Sequence, residues 1–135
     1  MNNQSAEQDC IQLSLPLNAA YVSAARLTAS SVANRMGFST DEIEDIKAAV
    51  SEACTFVIKK APTELVGNFL IQFHMDSEMM SIQIQTSGQL NQESDEMSLI
   101  MIKALMDELK IESKDDETIL FMSKSHNDNI FRKFD

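Results

Sequence analysis

Apolar residues recur with two different periods along this chain, and the periods lay out its elements. In "CIQLSLP", Ile11, Leu13 and Leu15 alternate with polar residues, which predicts a half-buried strand ended by Pro16. The period then changes. Asn18 can cap a helix whose Val22, Ala25, Ala29, Val32, Ala33 and Met36 share one stripe, with Gly37 as its stop. Ser39 with Glu42 forms a capping box, and Asp41 favours the same helix start. The second helix runs to about Lys60 with Ile43, Ile46, Val50, Ala53 and Val57 toward a core, and Pro62 limits it.

Period two returns in "NFLIQFHM" and "MMSIQIQTSG", joined by "DSE". Phe69, Ile71, Phe73 and Met75 face Met80, Ile82 and Ile84 in a hairpin with one wet side. After the polar "SGQLNQESD", the run "EMSLIMIKALMDEL" is apolar around most of its circumference and predicts a third, well-buried helix. "KIES", "KDDE" and "TILFMSKS" read as a last hairpin, followed by the tail "HNDNIFRKFD". Helices and hairpins in this order predict an α+β fold, a two-layer α/β sandwich. Its sheet is mixed and mostly antiparallel, with helices on one face. With 135 residues, one domain over 1–135 is expected. Residues 127–135 form a flexible or docked tail, where Phe131 and Phe134 suit a short helix or a partner contact.

Composition changes this picture in one respect. Asp plus Glu number 21 against 11 Lys plus Arg, a formal charge of −10. Such a balance repels phosphate backbones and anionic lipid, so it argues against nucleic acid or membrane and for a protein partner with a basic patch. No apolar run approaches the roughly 20 residues of a membrane helix, and "MNNQSAEQDC" has no signal-peptide core, so a cytoplasmic protein is expected. Cys10 and Cys54 have no metal or disulfide spacing and read as buried free thiols. His74 and His126 are isolated in sequence, and Met97, Met101 and Met106 read as core filler.

The second helix poses the chemical question. Glu52 and Phe56 stack one turn apart on a face other than that of Val50, Ala53 and Val57. Phe56 there either fills a pocket or anchors a partner.

Over nearly the whole chain the element order and local stretches resemble the anti-sigma-factor serine kinases of bacterial partner-switching systems, within the histidine-kinase-like ATPase superfamily. The likeness is strongest in "YVSAARLTASSVANRMGFSTDEIEDIKAAVSEACT" and "LMDEL". It implies the histidine-kinase-like ATPase fold. Family members bind a sigma factor, and use ATP and Mg²⁺ to phosphorylate a serine on an anti-anti-sigma partner. Three boxes carry that chemistry. The first is a general-base Glu with a Mg²⁺-holding Asn four residues on; this chain keeps Glu52 but has Phe56, which cannot ligate a hard cation. The second is an Asp-x-Gly that reads adenine; the matching residues are Thr86, Ser87 and Gly88. The third is a Gly-rich lid that cradles phosphates; here it reads Glu96, Met97 and Ser98, with Asp95 adding negative charge.

The resemblance with these departures implies an anti-sigma-factor-like regulator that binds a sigma factor, an anti-anti-sigma protein or both, without ATP. No cofactor, metal or catalytic residue is expected. Glu52 is a vestigial general-base position, and Phe56, Thr86, Gly88 and Ser98 are vestigial pocket positions. Arg26 matches an Arg that relatives use toward sigma factor and antagonist, while its bland role is a surface Arg whose stem covers apolar neighbours. Two other readings stand beside this one: an active serine-protein kinase, and a dimerisation or scaffold subunit. A homodimer is compatible with each.

Overall fold

Three helices lie against one face of a sheet in the computed structural model, which describes residues 9–61, 67–88 and 97–126. The elements are β1 (Asp9–Pro16), α1 (Val22–Met36), α2 (Thr40–Lys60), β2 (Asn68–Met75), β3 (Met79–Ser87), α3 (Met97–Leu105), β4 (Glu108–Lys114) and β5 (Glu117–Ser125). Asn18 accepts a hydrogen bond from the Ala20 amide and so caps a 3-10 turn, Ala19–Tyr21, that leads into α1. Gly37 closes α1 in the left-handed region at φ 90°. The capping box is complete: Ser39 Oγ accepts from the Glu42 amide at 3.1 Å, and Glu42 Oε1 accepts from the Ser39 amide at 2.8 Å.

The strands form one five-stranded sheet in the order β1-β2-β3-β5-β4. All four pairings are antiparallel, so the sheet has no parallel component among the described residues. Its register sets Ile71 beside Ile84 and Leu120, and Phe73 beside Ile82 and Met122. These six side chains are buried and meet the buried stripe of the helices, Ala25, Ala29, Val32, Ile46, Val50 and Ala53 among them. The other face carries Gln12, Gln72, Gln83 and Lys110, which leaves it wet.

Tertiary packing overrides the sequence pattern in four places. The third helix ends at Leu105, four residues before the end of its apolar run. There the Lys124 ammonium donates to the Leu105 carbonyl at 2.7 Å, the Asp107 amide donates to the Ser123 carbonyl at 2.9 Å, and the chain enters β4. This helix is also not buried all round. Ser98 and Ile102 are buried, while Met97, Ile100 and Met101 are exposed, so of the three methionines only Met106 fills the core. Ile11 is exposed, for it lines an open groove between β1 and α1 instead of packing into the core. Cys10 is exposed as well, for it points to the wet face of the sheet; Cys54 alone is the buried thiol. The tail 127–135, the segment 89–96 and Pro62 lie outside the described residues.

At Gly37 a Cβ would meet His126 Nε2 at 3.1 Å, in a backbone conformation that L side chains rarely adopt. Gly37→Ala is therefore expected to lower stability by about 1–2 kcal/mol in urea unfolding, with no change in helix content.

Candidate functional site

Helix α2 is the spine of the site. Seven of its residues are buried: Ile46, Ala49, Val50, Ala53, Cys54, Phe56 and Val57. That arc is wider than the stripe read from periodicity, because α2 packs against α1 on one flank and α3 on the other while lying over the sheet. Phe56 lies on the broadened part and is 1% exposed, so its ring is core rather than a surface anchor. Glu52, one turn earlier, is half-buried; among the described residues no hydrogen bond or ion pair involves its carboxylate.

Thr86 is buried near the end of β3, and its hydroxyl donates to the Ser87 carbonyl at a long 3.5 Å. Gly88 follows at φ 83°. Its amide donates to the Asp116 carbonyl, and its carbonyl accepts from Thr118 Oγ1 at 3.0 Å. This strand end is thereby pinned to the β4–β5 turn by groups that then have little freedom to reach a ligand. Ser98 is buried in the first turn of α3. The pocket positions Phe56, Thr86 and Ser98 thus all sit inside, on α2, β3 and α3.

Arg26 belongs to the opposite face of α1. It is exposed with Ser23, Leu27, Ser31 and Asn34, which recur at helical spacing along one outward stripe. Leu27 is 69% exposed, an apolar group beside the guanidinium that the sequence pattern did not mark because it lies off the core stripe. A groove of about 600 Å³ also opens between α1 and β1, lined by Ile11, Val32, Arg35, Met36 and Asp76 among others. His74 is isolated in sequence but not in space: the β1–β2 register sets it opposite Cys10, with Nε2 3.9 Å from Sγ. Two ligands do not make a metal centre, and among the described residues no group of three His, Cys, Asp or Glu could hold an ion.

Burial pushes the Cys54 thiol up from 9.0 to about 12. At pH 8 a thiol reagent is therefore expected to modify Cys10 in the folded protein and Cys54 only after denaturation, as read by mass spectrometry. Phe56→Asn removes core hydrocarbon and buries an amide, with an expected loss of roughly 3–5 kcal/mol in a denaturant melt.

Comparison with known proteins agrees with the fold. Serine-protein kinase RsbW from Bacillus cereus and from Bacillus anthracis are each 44% identical to this chain over 78 residues, 58% of the chain. The chain spans 49% of the length of these relatives. Among solved structures, that of the RsbU and RsbW domains of Rv1364c from Mycobacterium tuberculosis superposes with a TM-score of 0.71 at 16% identity, over 86% of this chain and 32% of that one. The family profile of the Histidine kinase-like ATPase domain matches residues 15–124, so the chain belongs to that family, with RsbW serine-protein kinases among its relatives.

Proposed function

We propose that this protein is an anti-sigma-factor-like regulator that captures a sigma factor, an anti-anti-sigma protein or both, stoichiometrically and without ATP. Likeness to RsbW supports the partner class. The buried phenyl ring of Phe56 carries the nucleotide-free part of the reading. A ring in the core offers no lone pair to Mg²⁺, and the half-exposed Glu52 carboxylate would have no metal-bound phosphate to work on. Thr86 supplies a hydroxyl where a carboxylate would read adenine, so a charge-assisted contact is lost as well. The described residues therefore do not fit MgATP, and no phosphoryl-transfer step is assigned to them.

Capture falls to the outward face of α1. Arg26 offers a planar donor set for a carboxylate, and Leu27 beside it offers apolar area that partner contact would remove from water. Arg is enriched at interface hot spots, and a formal charge of −10 on the chain favours a partner that is basic around an acidic contact for Arg26.

Two measurements test the reading. Millimolar MgATP should leave the unfolding temperature unchanged, whereas a ligand at 100 times its Kd would add about 2.7 kcal/mol of stability. A saturable rise would return the protein to the active kinases. Arg26→Ala should weaken binding of a partner recovered by pull-down by at least about 2 kcal/mol in calorimetry, with the unfolding curve unaltered. Equal affinity would return Arg26 to a surface Arg outside the contact.

A further inference from the structure

The groove of about 600 Å³ between α1 and β1 takes its apolar lining from Ile11, Val32, Met36 and Met75. Its volume is that of an ordinary ligand pocket. Ile11 is 39% exposed, and Met36 and Met75 are half-buried, so apolar area stands there in contact with water. The charged residues on the lining are Asp9, Arg35 and Asp76, two acids against one base, and all are exposed.

The chain leaves the sheet beside this groove. His126 follows β5, and its amide donates to the Glu78 carbonyl in the β2–β3 turn at 2.6 Å. Its ring lies against Phe38 with centroids 5.1 Å apart, and its Nε2 is the atom that a Cβ on Gly37 would meet. His126 is therefore held between Gly37 and Glu78. The residues next to these two, Met36 and Ser77, both line the groove.

The sequence after His126 matches what the groove lacks. In the sheet order, β5 stands two strands from β2, which is about 10 Å at the usual strand spacing. Asn127, Asp128 and Asn129 are polar and span roughly 10 Å when extended. Beyond them comes "IFRKF". One helical turn sets Ile130, Phe131 and Phe134 within an arc of about 100°. Arg132 and Lys133 flank that arc, two bases that complement the excess of acid on the lining. A linker of three residues keeps the segment at high effective concentration, so even a weak contact holds it. The other segment that adjoins the groove, 1–8, reads "MNNQSAEQ" and brings little apolar area.

We infer that residues 130–134 of this chain dock into the groove between α1 and β1, with Ile130, Phe131 and Phe134 against Ile11, Met36 and Met75. This assignment does not depend on the identity of any protein partner.

Nuclear Overhauser contacts in the full chain, labelled at methyl groups and phenyl rings, test it. The rings of Phe131 and Phe134 should give contacts to the methyl groups of Ile11, Met36 and Met75. A mixture of copies labelled only at methyl groups with copies labelled only at phenyl rings should not show them. Phe131→Ser combined with Phe134→Ser should abolish the contacts and move the signals of those three methyl groups. The methyl signals of Ile84 and Met122, which lie deep in the core, should stay in place and so confirm that the variant folds. A wild type without these contacts overturns the proposal. Contacts that appear in the mixture do so too, for they give the groove to a second copy. Methyl signals at the groove that ignore the double substitution likewise overturn it.

Discussion

Burial of α2 between α1, α3 and the sheet is the constraint on which the rest of the molecule depends. Ile46, Val50, Ala53 and Val57 close the layer above Ile71, Ile82 and Leu120, and Cys54 and Phe56 extend that contact on the helix surface. Each buried large side chain contributes on the order of 1.5–3 kcal/mol by leaving water, so the helix cannot shift without exposing much of the core. The ends of α2 are fixed by the same logic. The Ser39–Glu42 box holds its start, and the Ala61 amide donates to the Val57 carbonyl at its finish.

That packing bears directly on function. A nucleotide site of this fold needs room beside α2 and a hard oxygen to share a cation with phosphate. In this protein the residue one turn after Glu52 is a phenyl ring in the core. Opening the space would mean moving Phe56 out of its packing, at a cost that a weakly held ligand could not offset. Exposed chemistry is found elsewhere: Arg26 and Leu27 on α1, the Cys10–His74 pair on the wet face, and the groove between α1 and β1. Under the proposed function, recognition falls to these surfaces and the middle of the molecule holds them in position.

Much of the fold was legible because its signals are local. Alternation in 68–75 and 79–87, the turn at Asp76–Glu78 and the capping box each need only a few neighbouring residues to be read. The end of α3 was not, since "LIMIKALMDEL" is apolar enough for helix or strand and the choice is made by Lys124 and Ser123, far along the chain. The exposure of Met97, Ile100 and Met101 is not legible either, because composition gives no hint that only one side of α3 finds a partner in the core. At the candidate site, the substitutions at Phe56 and Thr86 could be read directly from the chain, but whether Phe56 faced in or out depended on α3 packing beside α2. The Cys10–His74 pair was hidden entirely, for it exists only through the β1–β2 register.

Under the proposed function, the space beside α2 belongs to Phe56 and not to a nucleotide. An amide NMR titration of the labelled protein with MgADP and then MgATP examines that space residue by residue. The signals of Glu52 to Val57, Thr86 and Ser98 should stay in place at millimolar nucleotide. Saturable shifts clustered on those residues would contradict it.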